Sequence, residues 1–309
     1  MSASKDSGTR LTVLVALGAN LLIAAAKAAG GALAGSPALL SEAAHSVADS
    51  LNEVFLLAAL RRSRRPPDRR HPFGYGKERF FWSLLAAVGI FVMGGCFSVY
   101  QGARALRSES HETHQGYVAG LVVLAVALLA EGASLLRALH QVRGQRGGLG
   151  RDPALRTVVA EDGTAVVGVL LAAAGMVLHL TTGRAVWEGA ASLAIGLLLG
   201  YVAYRLGTDA RDQLIGEAVD PEARRRIRAL LAAQPEIDGV EALLTMRLGT
   251  DSALVAARVD LAPGLESEEI ERVCERIKSS VAHLWPAADQ VFLDVTDAPA
   301  ADGREAARP

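Results

Sequence analysis

Two short runs of this chain place ionisable side chains among apolar neighbours. "LLSEAAHSVADSLNE" (Leu39 to Glu53) carries Glu42, His45, Asp49, Asn52 and Glu53 at spacings of three and four. On a helix that spacing makes one stripe. His45 and Asp49, one turn apart, can bring an imidazole nitrogen and a carboxylate to one small volume. "TVVAEDGTAVVGVLL" (Thr157 to Leu171) adds Glu161 and Asp162, adjacent carboxylates just inside a hydrophobic run that contains no Lys or Arg. Two such groups cannot both be left charged and bare in apolar surroundings. A cation must compensate them. A divalent metal held by His45, Asp49 and Asp162, with Glu161 as fourth ligand, would do so. One imidazole with carboxylates suits tetrahedral zinc, and equally manganese, iron or cobalt. The competing reading of the stripe is a hydrogen-bonded contact that merely joins helices. Inside a bilayer, ionisable groups that line up together mark a pathway or a site.

The elements that must position these residues read as membrane helices. The 309 residues are 51% hydrophobic and only 5% aromatic, with a mean hydropathy of +0.26. Six stretches, at 11–33, 38–60, 81–104, 115–138, 157–181 and 186–206, approach the length that spans a bilayer. Each is rich in Ala, Leu, Val and Gly, as close-packed membrane helices are. Met1 to Thr9 is polar, and the first stretch is too long and too weakly flanked for a cleaved signal peptide. The reading is a polytopic membrane protein with an N-terminal tail at 1–10 and a transmembrane domain at 11–209.

Lys and Arg set its orientation. "RRSRRPPDRRHPFGYGKER" (Arg61 to Arg79) and "RALHQVRGQRGGLGRDPALR" (Arg137 to Arg156) are basic, whereas the intervening loops near Gly35, Arg107–Gln115 and Thr181–Glu188 carry little net positive charge. That alternation puts both basic loops and both termini in the cytoplasm, at a membrane of the bacterial plasma type. The net charge of −1 says nothing by itself. Cys96 and Cys274 form neither a disulfide framework nor a Cys-rich metal motif. Asn20 reads as interhelical glue, Lys27 as a snorkelling side chain, and Glu131 as a secondary relay or a solvated group.

After Leu206 the composition changes. "PEARRRIRALLAAQ" is helix-patterned, "GVEALLTMRLG" and "SALVAARVDLA" read as strands, "ESEEIERVCERIKSSVAHL" as an amphipathic helix and "QVFLDV" as a last strand. The order αββαβ predicts a small α+β cytosolic domain at 210–297, followed by a disordered tail at 298–309.

Six spans, His-x-x-x-Asp on the second, "HPFGYGKE" (His71 to Glu78), "GEAVDPE" (Gly216 to Glu222) and the αββαβ domain together resemble the cation diffusion facilitators, over Leu11 to Val295. The resemblance implies a homodimeric divalent-metal/proton antiporter. Its fold would be an all-α six-helix transmembrane bundle with a ferredoxin-like C-terminal domain that dimerises. The family's central site takes two residues four apart on span two and two on span five. Carried over, these are His45 and Asp49, then Val158 and Asp162. Val158 departs from the pattern, and Glu161 is the obvious substitute, giving a harder site than a two-His one. A loop site would need Asp68, His71 and a second His, but Tyr75 stands there. The terminal domain has only His283, with Asp294 as a weak companion, so dimerisation rather than metal sensing is expected of it.

The expected partners are a divalent cation (zinc first), protons, lipid and a second copy, with no resident cofactor and no nucleic acid. An intramembrane metal enzyme is disfavoured by the lack of HExxH and of a Ser or Cys nucleophile constellation. A non-transporting metal-binding scaffold is the remaining alternative, with Val158 as the mark of a dead site.

Overall fold

The structure is a computed structural model describing residues 2–107, 114–144 and 153–296; the side chains of 2–16, 19, 114–115, 141–144 and 153–158 are outside the description. The tail expected at 298–309, most of the loop at 107–115 and part of that at 137–156 therefore lie outside the described residues, as does the side chain of Val158.

Ala- and Leu-rich sequence forms long helices here: α1 Ser2–Ala34, α2 Pro37–Ser63, α3 Glu78–Ala105, α4 His114–Gly144, α5 Pro153–Thr182 and α6 Val186–Ile215. The helical backbone of α1 begins well before the first apolar stretch. Among the described residues, four of these helices hold segments long and apolar enough to cross a membrane: Glu78–Ala105, Gly116–His140, Val159–Thr182 and Val186–Ile215. In α1 the described apolar segment is the shorter Asn20–Ala34. In α2 the polar stripe itself interrupts the hydrophobic run.

The α1–α2 corner follows from three consecutive residues. Gly35 adopts φ 68°, the left-handed conformation that ends a helix. Ser36 Oγ then accepts from Leu39 N at 3.3 Å, and Pro37 opens α2.

The chain divides into two compact units, Met1–Ala58 with Trp82–Thr208, and Ala59–Phe81 with Asp209–Pro309. In the first, Leu39, Ala48, Leu124, Val169, Ala172, Met176, Ile195 and Leu199 form a buried core. Small residues let backbones approach. A Cβ on Gly102 would sit 2.7 Å from Gly189 O, and one on Gly196 would sit 3.0 Å from Gly95 O. This glycine seam joins α3 to α6. Within it, α3 loosens into a π turn at Ile90–Cys96.

The second unit contains α7 Pro221–Ala232, β1 Ile237–Arg247, β2 Ala253–Leu261, α8 Ser267–Leu284 and β3 Gln290–Val295. The αββαβ order matches the sequence reading. The sheet runs β1-β2-β3, with β1 antiparallel and β3 parallel to β2. Asp220 caps α7 by accepting from Glu222 N and Ala223 N, a cap worth about 1 kcal/mol. Ala253, Val255, Ala257 and Val259 alternate into the core, where they meet Ile227, Leu231, Val273, Ile277 and Val281. Each of the larger side chains contributes about 2 kcal/mol by leaving water.

Candidate functional site

The polar stripe of α2 splits into two groups. Ser46, Asp49, Asn52 and Glu53 line a cavity of about 360 Å³, together with Asn20 of α1, Glu131 and Ser134 of α4, and Glu161 and Asp162 of α5. Three of the four expected metal ligands therefore share one cavity. His45 stands behind them. Its Nδ1 lies 3.5 Å from Asp49 Oδ1, too far for a good hydrogen bond. Neither ring nitrogen has a hydrogen-bond partner, although the residue is buried. A buried imidazole in this state is a donor set without an acceptor, or a ligand without an ion. Glu42, the other member of the stripe, does not reach the cavity. It is wholly buried and presses against Gly168 of α5, where any Cβ would collide with Glu42 Oε1.

Three carboxylates on the cavity wall, Glu53, Glu161 and Asp162, are each held by one neutral donor. Asn52 Nδ2 donates to Glu161 Oε1 at 3.1 Å, Ser134 Oγ donates to Asp162 Oδ2 at 2.7 Å, and Asn20 Nδ2 donates to Glu53 Oε1 at 2.7 Å. Asn20 is indeed glue, tying α1 to α2. One neutral donor per carboxylate leaves lone pairs open to a cation. Among the described residues, no three His, Cys, Asp or Glu side chains stand close enough together to hold one ion. The acidic groups ring the cavity instead of converging within it.

Lys27 departs from the sequence reading. It does not snorkel: its side chain is 0% exposed. Its Nζ donates to Glu42 Oε2 at 3.0 Å, Ser46 Oγ at 3.0 Å and Glu131 Oε1 at 2.8 Å, using all three N–H bonds. Glu131, expected to act as a relay or to be solvated, is the acid on this ammonium and also lines the cavity. Sequence reading missed Ser134 and Ser46. The signal for Ser134 was its i+3 position from Glu131 on one helix face.

A second buried cluster sits at the other end of α5. Seventeen residues separate Asp162 from His179, about 25 Å along a helix. There Glu188 of α6 accepts from Tyr117 of α4 and from Ser36 at the α1–α2 corner. His179 Nδ1 lies 2.8 Å from Glu188 Oε1 and from Tyr117 Oη. Both carboxylate oxygens of Glu188 are thus supplied.

The loop His71–Glu78 holds itself together without a second His. Asp68 accepts from Arg70 N, His71 N and Tyr75 Oη at 2.9, 2.7 and 2.7 Å. The Tyr75 hydroxyl, then the His71 amide, hold the Asp68 carboxyl below the usual carboxylate range. The His71 and Tyr75 rings pack in a tilted contact at 4.3 Å between centroids. Gly76 must be glycine because a Cβ there would run into Leu248 O. In the second unit His283 is exposed, and Asp294 is paired with Arg258 at 2.8 Å.

The geometry has relatives. Residues 13–215 match the cation efflux transmembrane domain. Metal tolerance protein C4 of Arabidopsis thaliana is 35% identical over 265 residues, covering 82% of this chain and 58% of that protein. The mitochondrial proton-coupled zinc antiporter SLC30A9 of Xenopus laevis is 32% identical over 260 residues, covering 79% of this chain and 46% of that one. The chain thus spans about half the length of these two relatives. The manganese efflux system protein MneP of Bacillus subtilis is 23% identical over 301 residues, 96% of this chain and 98% of its own. Cation efflux proteins are membrane transporters rather than enzymes. With the family domain matched across most of the membrane helices, this chain belongs to the cation efflux, or cation diffusion facilitator, family.

Proposed function

We propose that this chain is a secondary active transporter that moves a divalent transition-metal cation, zinc first, out of the cytoplasm in exchange for protons. The observation that carries the reading is the cavity lined by Asp49, Glu161 and Asp162, backed by a buried His45 with no hydrogen-bond partner. A dication drawing these side chains inward would satisfy groups that otherwise lack donors. When it leaves, the carboxylates are costly in a low-dielectric bundle unless they take up protons. Cation and protons then compete for one site. That competition is sufficient for antiport when the bundle opens to each side in turn.

His45, Asp49, Asp162 and Glu161 are the proposed ligands, with Glu161 standing in for the residue missing at Val158. The bundle is taken as six spans with both termini cytoplasmic, and the C-terminal unit as a ferredoxin-like dimerisation domain. Manganese is the second reading. One imidazole among carboxylates is a hard donor set, and the full-length relative MneP is named for manganese efflux. Metal flux into proteoliposomes carrying a pH dye, run with zinc, manganese, iron and cobalt, tests all of this. Metal uptake with proton counterflow is expected. No flux of any metal would leave a metal-binding scaffold, and flux without counterflow a channel or uniporter.

A further inference from the structure

Two carboxylates share the buried ammonium of Lys27, and each leaves its second oxygen without a hydrogen-bond partner; they differ in their surroundings. Glu42 is 0% exposed, lies against Gly168 and does not line the cavity. Its bond to Lys27 at 3.0 Å joins α1 to α2 inside the core. Glu131 gives one oxygen to Lys27 at 2.8 Å, while its Oε2 is buried without a partner and its side chain is part of the cavity wall. That wall is shared with Asp162, whose hydrogen bond comes from Ser134, one turn along from Glu131 on α4. Two acids on one ammonium leave one uncompensated negative charge in the bundle. Glu42 has no route to another cation. Glu131 has one.

We propose that Glu131 is a further carboxylate of the cation site, and that Lys27 is a tethered internal cation competing with the cargo ion for it. The inference rests on the transport reading above. In the empty protein, Lys27 bridges Glu42 and Glu131. When a dication occupies the cavity, Glu131 swings its unpartnered oxygen toward it, and Lys27 keeps Glu42 alone in a one-to-one pair. When the dication leaves, Glu131 returns to the ammonium. The exchange involves no covalent step. It limits how tightly the cargo is held, because every binding event must first give up a buried 2.8 Å ion pair. His45, next in sequence to the Lys27 partner Ser46, carries two ring nitrogens without hydrogen-bond partners.

The test is metal binding to the detergent-solubilised full chain by titration calorimetry with Zn²⁺ and with Mn²⁺, beside flux in proteoliposomes. Glu131→Gln should weaken binding by about tenfold or more. Lys27→Met with Glu42→Gln removes the permanent pair as a neutral unit and leaves Glu131 without its competitor. Binding should then tighten by about tenfold, with KM and maximal flux both falling because release is slowed. Adding Glu131→Gln to that double variant should abolish the tightening. Asp162→Asn separates this idea from its foundation. If Asp162→Asn weakens binding and Glu131→Gln does not, the role of Glu131 is refuted while the transport reading stands. If neither changes binding, the cavity is not the cargo site. A lower melting temperature for the Lys27/Glu42 variant with unchanged affinity would make Lys27 a structural strut and overturn the proposal.

Discussion

The two ends of the helical unit use the same chemical parts to opposite effect. At one end His45 and Asp49 stand 3.5 Å apart, beside Glu161 and Asp162, which each receive one neutral donor. At the other, His179 and Glu188 stand 2.8 Å apart, with Tyr117 and Ser36 completing the carboxylate's partners. The residue types match. What differs is satisfaction. Glu188 of α6 draws on α4, α5 and the α1–α2 corner, so both its oxygens have partners, and the cluster behaves as a clasp. The cavity leaves His45 with nothing and its acids with spare valence. Buried polar groups pay for their desolvation only through partners; where the chain withholds them, a ligand is expected to bring them.

The sharpest way to break that contrast is to remove the unsatisfied pair. His45→Ala and Asp49→Ala should each reduce flux to background while expression and assembly persist. Near-normal transport in either would put the cargo elsewhere. Next in size is the clasp. Glu188→Ala takes the shared carboxylate away from Ser36, Tyr117 and His179 and should lower unfolding stability by about 3 kcal/mol, with metal affinity at the cavity unchanged. A loss of affinity equal to the Asp49 variant's would mean the two ends are not chemically distinct. Glu161→Gln should weaken metal binding, and Asp162→Asn at least as much, while Val158→His should shift competitive transport from manganese toward zinc. Unchanged metal binding and selectivity in Glu161→Gln would assign Glu161 to its hydrogen bond with Asn52 alone.

The smallest expected effect lies in the Asp68 loop, which resembles the clasp in miniature. Its carboxyl is held low in the folded protein by Tyr75 and the His71 amide. The unfolded chain therefore binds its proton first as pH falls. The loop's stabilisation is complete above the ordinary Asp value of about 3.9 and is lost as pH drops through the lower folded value. Tyr75→Phe should move the Asp68 titration upward in an NMR pH series. No movement would assign the low value to the backbone amides.

Sequence alone revealed which helices carry unusual charge, because Glu42, His45, Asp49, Glu161 and Asp162 interrupt otherwise apolar runs. It also revealed the strand alternation of β2, where burial follows every second residue. Lys27 was misread for a physical reason. Its partners lie 15 and 104 residues away, and a lone lysine in an apolar helix looks the same whether it reaches for solvent or for an acid. The clasp was equally hidden. Tyr117, His179 and Glu188 stand near the ends of three different helices, and only the packing brings them together. The division of the α2 stripe was invisible because three- and four-residue spacing fixes a broad face, and Gly168 decides which part of that face goes inward.

The π turn at Ile90–Cys96 bears on how α3 and α6 can move. Buried positions along α3 step by four through it: Ile90, Gly94, Ser98 and Gly102. On an ordinary α-helix a four-residue repeat drifts by about 40° around the axis at each step, and such a row would soon turn away from a straight neighbour. The wider i→i+5 winding takes up part of that drift. Along this face Gly95 meets Gly196 and Gly200, Gly94 meets Leu199, and Gly102 meets Gly189. The two helices meet along a rail rather than at a crossing point, with Val99, Leu106, Leu193 and Leu199 seated on the glycines as teeth, and such a rail resists rotation more than a step along its own length.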